Sequence, residues 1–238
     1  RRWASKAARC LDSIQGEDRG GGIMVKMAGC ALVLALAAVA QAPFLHHRRT
    51  ASRPPPAAGG GQTISDNFNR GDSADLGANW TVLTGEAAWK ISVNTAQPSS
   101  TTTDCTEYYS GVSWTANQSS EGKVTVVEIT AGNGVGVAVR CSTSARTYYR
   151  LVINSDGEWK VAKMVAGVYT VLTSGTATYS VGAVLKLTVS GTTLTSVYNG
   201  VQIGSTTDSA ISSGSPGIMM SSTIISGSVD DWTGIDGL

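Results

Sequence analysis

Gly134-Val135-Gly136-Val137-Ala138-Val139-Arg140-Cys141 alternates with a period of two. Val135, Val137, Val139 and Cys141 fall on one face, and Gly136, Ala138 and Arg140 on the other. That period marks a strand with one face against a core. It recurs on the C-terminal side. Tyr149, Leu151 and Ile153 alternate with Arg150, Val152 and Asn154, and Leu185, Leu187 and Val189 with Lys186, Thr188 and Ser190. Each run ends in turn residues: Asn154-Ser155-Asp156-Gly157, Ser190-Gly191-Thr192-Thr193 and Tyr198-Asn199-Gly200-Val201. The Asn-Gly pair is the strongest short hairpin signal. Strands are expected at about 82–93, 105–114, 122–131, 134–142, 146–154, 158–165, 168–174, 184–190, 193–199, 201–206, 216–222 and 226–233. No amphipathic helix longer than about two turns interrupts them. Residues 63–238 therefore read as all-β, a two-sheet antiparallel sandwich.

The N-terminal quarter reads differently. Residues 1–23 form an unstructured leader, disordered or helical. Lys26 followed by the apolar run Ala28 to Ala40 and the small-x-small site Ala40-Gln41-Ala42 matches a signal peptide over 24–42. The rival is a membrane anchor, since the apolar stretch runs on through Phe44 and Leu45 toward the ~18 residues a span needs. Membrane contact is expected only through residues 24–45, if they are not cleaved. Residues 43–62, with Pro54-Pro55-Pro56 and Gly59-Gly60-Gly61, are a linker. A secreted or cell-surface protein is expected.

The net charge of +1 hides an asymmetry. Residues 1–63 hold nine Lys and Arg against Asp12, Glu17 and Asp18; the remainder holds nine against fourteen acids. An acidic sandwich repels phosphate backbones, which argues against nucleic acid as a partner. The two histidines, His46 and His47, precede the sandwich, so no His-based nucleophilic site is expected inside it. Cys105 and Cys141 sit in strand-like contexts, either as a disulfide or as small buried apolar residues.

Several motifs carry a family resemblance. Asp66-Asn67-Phe68-Asn69-Arg70 precedes Asp75-Leu76-Gly77-Ala78-Asn79-Trp80 and Trp89-Lys90-Ile91. Later come Tyr198-Asn199-Gly200, Gly214-Ser215-Pro216-Gly217-Ile218 and Val229-Asp230-Asp231-Trp232. This order resembles the concanavalin A-like lectin/glucanase superfamily, and looks closest to laminin G-like modules of bacterial secreted and phage proteins. The resemblance covers nearly all of 64–238. It implies a jelly roll with one convex and one concave sheet, with first and last strands adjacent and Phe68 near Trp232. Glucanases of this superfamily carry Glu-x-Asp-x-Glu on one strand, and no such run occurs here.

The expected function is a non-catalytic carbohydrate-binding or cell-surface recognition module, with carbohydrate or a cell-surface glycan as its partner. Alternatives are a virion, tail-fibre or other assembly subunit, and a glycoside hydrolase or polysaccharide lyase, which needs two carboxyls across one bond. Sugar binding uses aromatic platforms with polar neighbours. Of the aromatics available (Tyr108, Tyr109, Trp114, Tyr148, Tyr149, Trp159, Tyr169 and Tyr198), the adjacent pairs stand out, because one ring of each must face outward on a regular strand. The expected ligand-binding residues are Tyr108, Trp114, Tyr148, Tyr149 and Arg150, with Arg140 and Arg146 near the same face. Trp80, Trp89 and Trp232 are expected in the core. If the terminal strands pair, Asp66 and Asp230 converge as candidate ligands of a structural Ca²⁺; otherwise these acids cap turns.

Overall fold

The computed structural model describes residues 61–100, 102–126, 134–142, 144–221 and 227–238. The expected leader, signal peptide or anchor, and all but the last residues of the linker lie outside them. The described chain is all strand and turn: β1 (Thr63–Asp66), β2 (Trp80–Val82), β3 (Trp89–Ser92), β4 (Thr95–Pro98), β5 (Cys105–Tyr109), β6 (Gln118–Val126), β7 (Val135–Cys141), β8 (Tyr148–Ile153), β9 (Glu158–Val165), β10 (Val168–Thr176), β11 (Ala183–Ser190), β12 (Thr193–Tyr198), β13 (Val201–Thr207), β14 (Ser215–Met220) and β15 (Ser228–Asp236).

They form two antiparallel sheets. The first runs β13-β12-β11-β6-β15-β4-β3, with β1 also paired to β15; the second runs β10-β9-β8-β7-β14-β5-β2. Alternate residues of both sheets meet in one core that holds Val135, Val137, Val139, Leu151, Ile153, Leu185, Leu187 and Val189. The terminal strands close the sandwich as expected: Asp66 of β1 lies opposite Trp232 of β15. Trp80 bridges the seam, its ring centroid 5.7 Å from Phe68 and 4.7 Å from Trp232. Trp80, Trp89 and Trp232 are all buried.

Two expectations change, and of the two alternatives for the cysteines the second holds. The single strand over 82–93 is instead β2 and β3, separated by a turn at Gly85, whose φ of 84° suits a residue without Cβ. Cys105 and Cys141 are free thiols. They sit on β5 and β7 with β14 between them, Met220 opposite Cys105 and Ser215 opposite Cys141. Two strand spacings of roughly 4.8 Å exceed the Cα separation a disulfide spans. Finally, the alternation of β7 breaks at Arg140, whose φ is 51°. Val135, Val137 and Val139 face the core between the sheets, while Cys141 joins a cluster on the far side of the second sheet.

The Asn199-Gly200 hairpin between β12 and β13 has φ of 48° and 80°, the type I′ pattern its sequence implies. The β3–β4 turn has the same sense, but with Val93 at φ 52° and 76% exposed. A β-branched residue pays for that conformation without compensating burial. Its N–H bonds to Asp72 Oδ1 at 2.9 Å, which any replacement but Pro keeps. Val93→Asn is expected to raise stability by about 1 kcal/mol in a denaturation measurement, by relief of backbone strain.

Candidate functional site

The outer face of the second sheet collects most of the expected site residues. On β8, Tyr149, Leu151 and Ile153 point into the core, so Tyr148, Arg150 and Val152 point out. On β5, Tyr108 points the same way. This outer face is not wet. Leu83, from the turn after β2, packs with Tyr108, Ala138, Tyr148, Val152, Met164 and Met219 in a second apolar cluster.

A cavity of about 450 Å³ opens beside that cluster. Arg150, Arg146, Asp104, Tyr169, Met164 and Ser221 are among the residues that line it. The Arg146 segment and the Ala166-Gly167 turn that precedes Tyr169 are tied to each other: Gly167 N–H donates to Arg146 O at 3.0 Å, and Ala166 N–H to Thr147 Oγ1 at 2.9 Å. Tyr169, on the edge strand β10, is 41% exposed. Its ring faces the Arg150 guanidinium, 4.6 Å from Cζ to centroid. Arg150 is only 4% exposed and donates through Nη1 to Ser221 Oγ at 2.9 Å, with Met219 Sδ at 3.8 Å.

Arg146 is bound otherwise. Nε donates to Glu86 Oε1 at 2.8 Å and Nη2 to Asp104 Oδ2 at 2.7 Å. The Tyr148 hydroxyl donates to the same Glu86 oxygen at 2.8 Å. The Glu86 side chain has no exposed surface. Burial works against the Arg146 charge, but Glu86, Tyr148 and Asp104 together hold the guanidinium above its ordinary value. Burial, with Glu86 beside it, pushes the Tyr148 phenol well up, so it acts as a donor at any ordinary pH.

The expected residues thus divide. Arg150 lines the cavity. Tyr148 lies behind it, fully buried, and Tyr108 is 5% exposed. Neither ring is a platform, because the outer face on which period two places them is covered. Tyr149 is also fully buried, on the core side. Its hydroxyl donates to Asp208 Oδ1 at 2.7 Å and accepts the Ile211 N–H at 3.0 Å. Trp114 packs against the core edge, Nε1 donating to Tyr109 O at 2.9 Å and its ring edge-on to Tyr109. Arg140 leaves the site and binds three backbone carbonyls. Glu86 and Ser221 carried no motif, since their partners are 60 and 71 residues away in sequence.

Of the two expected metal ligands, Asp66 has no lone pair left for a cation. Asp66 Oδ1 accepts from Phe68 N–H and Arg70 Nη1, and Oδ2 from Arg70 Nη2 and Trp80 Nε1, at 2.7–3.1 Å. Four donors fill the lone-pair positions of a carboxylate. Burial alone would raise this carboxyl; those hydrogen bonds outweigh it and hold Asp66 below the usual range. Asp230 accepts the Asp231 N–H at 2.9 Å. Among the described residues no group of three or more His, Cys, Asp and Glu side chains is placed to hold a metal ion.

No protein-family model matches the sequence, and no curated protein does. Solved structures do. The carbohydrate-binding module CBM66 from Bacillus subtilis aligns with a TM-score of 0.51 at 18% identity, over 69% of this chain and 96% of that one. A Bacillus subtilis protein of unknown function with a galectin-like fold aligns at 0.50 and 9% identity, over 74% and 96%. The GH43B protein of a Bacteroides ovatus xyloglucan PUL aligns at 0.51 and 15% identity, but this chain spans only 40% of its length. At such identities the likeness is one of fold, and the chain has the concanavalin A-like jelly-roll fold.

Proposed function

We propose that this chain is a carbohydrate-binding module whose ligand occupies the cavity on the outer face of the second sheet. The observation that carries the reading is the pairing of an exposed Tyr169 ring with the Arg150 guanidinium at the cavity wall. A sugar ring presents an apolar C–H face and a rim of hydroxyls. An aromatic face beside fixed donors is complementary to both. The fold likeness to a protein named as a carbohydrate-binding module supports the reading. Export through residues 24–42 fits the same role.

Binding is favoured over hydrolysis by the carboxylates. Hydrolysis takes two, both in contact with the scissile bond. Among the described residues only Asp104 lines the cavity, and it is held by Arg146; Glu86 lies wholly behind the wall.

Tyr169→Ala tests the proposal. The residue is on an exposed edge, so the variant is expected to melt close to the wild type. Loss of the ring is expected to weaken retardation in affinity electrophoresis by about 10-fold, the equivalent of one stacking contact. Equal retardation of variant and wild type on every polysaccharide that binds would sink the assignment of the site.

A further inference from the structure

We propose that the ligand of this cavity carries an acidic group, a carboxylate or a sulfate ester on a sugar ring, bound by Arg150; the inference rests on the binding role proposed above. Two guanidinium groups line the same cavity and are treated differently. Arg146 is matched by two carboxylates, Glu86 and Asp104. Arg150 is the more deeply placed, at 4% exposure, and no carboxylate among the described residues lies within ion-pair reach of it. One hydroxyl, one thioether and the face of one ring are its partners, and Nε has none among the described residues.

A desolvated cation with neutral partners is costly, and buried charges are normally paired. The cavity side of Arg150 is where a counter-charge has access. Asp104, the carboxylate of the lining, is already held by Arg146. The unmet chemistry of the lining is therefore donation. A planar or tetrahedral anion fits the rigid fork of an arginine, and stacking on Tyr169 fixes that fork in orientation. A neutral hydroxyl accepts a hydrogen bond but leaves the charge unmatched.

The test uses the full chain and polysaccharide pairs on the same backbone that differ in their acidic groups: polygalacturonate against its methyl ester, and dextran sulfate against dextran. Binding to the charged member of one pair is expected to be at least about 10-fold tighter, as one charge-assisted pair supplies. The pair that shows it identifies carboxylate or sulfate ester. Arg150→Gln is expected to abolish the preference. Should that variant fail to fold, Tyr169→Ala, which frees the guanidinium at an exposed edge, is expected to reduce it. A preference undiminished in a folded variant overturns the inference, because the basic residues 1–63 would then be its source. Equal or tighter binding to the neutral members overturns it too, while leaving the carbohydrate-binding role standing. No binding to any of the four, or to other neutral glycans, overturns both.

Discussion

Arg140→Met is expected to destabilise the full chain by about 3 kcal/mol, through one buried and two half-buried carbonyls left unmet at once. Arg140 is 3% exposed and sits where β7 kinks. Its Nε donates to Ala116 O at 2.9 Å, Nη1 to Ile211 O at 2.7 Å and Nη2 to Gly191 O at 2.7 Å. Those carbonyls belong to three separate connections: before β6, between β11 and β12, and between β13 and β14. One side chain thus ties three loops at one end of the sandwich. Met fills the space of the stem but satisfies none of the three acceptors; the buried Ile211 carbonyl left alone costs about 1–3 kcal/mol, and the half-buried Ala116 and Gly191 carbonyls, which water reaches in part, cost less. Lys keeps the charge but lacks the planar fork that reaches three directions. Urea denaturation followed by tryptophan fluorescence measures the loss. A decrease under about 1 kcal/mol would show that the loops are held by other contacts.

Glu107 gives the second large effect, and its sign depends on pH. It lies on the core face of β5, 2% exposed, with Oε1 accepting the Trp89 N–H at 2.7 Å. Burial pushes its carboxyl up to about 7, against that hydrogen bond, and Asp75 adds to the rise. The folded protein therefore keeps a proton on Glu107 that the unfolded chain releases near 4.5. Its contribution to stability is fully present below pH 4.5 and is lost as pH rises through 7. The raised value corresponds to about 3 kcal/mol lost by pH 8. Glu107→Gln keeps an acceptor for Trp89 and cannot ionise. It is expected to stabilise the protein at pH 8 by up to that amount and to change little at pH 4. A variant with the same pH slope as the wild type between 4.5 and 7 would contradict the assignment.

Arg140 and Tyr148 show where sequence periodicity stops being informative. Period two places a residue on a face; it does not say whether that face meets water. The valines of β7 and the leucines of β11 were legible because an apolar alternating set has one sensible destination. The Asn199-Gly200 hairpin was legible because its backbone conformation is chemically specified. By contrast, the Ala166-Gly167 turn that carries Tyr169 toward the cavity has positive φ at both residues with only one glycine. Tyr148-Tyr149 looked like an inside–outside pair, but the Leu83 turn covers the outer ring, a contact set by chain return and not by local pattern. Arg140 sits at a polar position of an alternating run, yet a single left-handed φ redirects it inward. Sequence proximity groups Arg140, Arg146 and Arg150; Arg146 and Arg150 line the cavity, and Arg140 does not. Proximity gives no hint that Arg146 is neutralised and Arg150 is not, because Glu86 and Asp104 come from β-connections far along the chain.

Locating a bound sugar tests the central claim most directly. A crystal structure of the protein with an oligosaccharide from the best-retained polysaccharide is expected to show a sugar ring against Tyr169, with a polar group within hydrogen-bond distance of Arg150. A sugar ordered on another surface, such as the outer face of the first sheet around Glu121 and Lys186, with the Arg150 cavity empty, would contradict it.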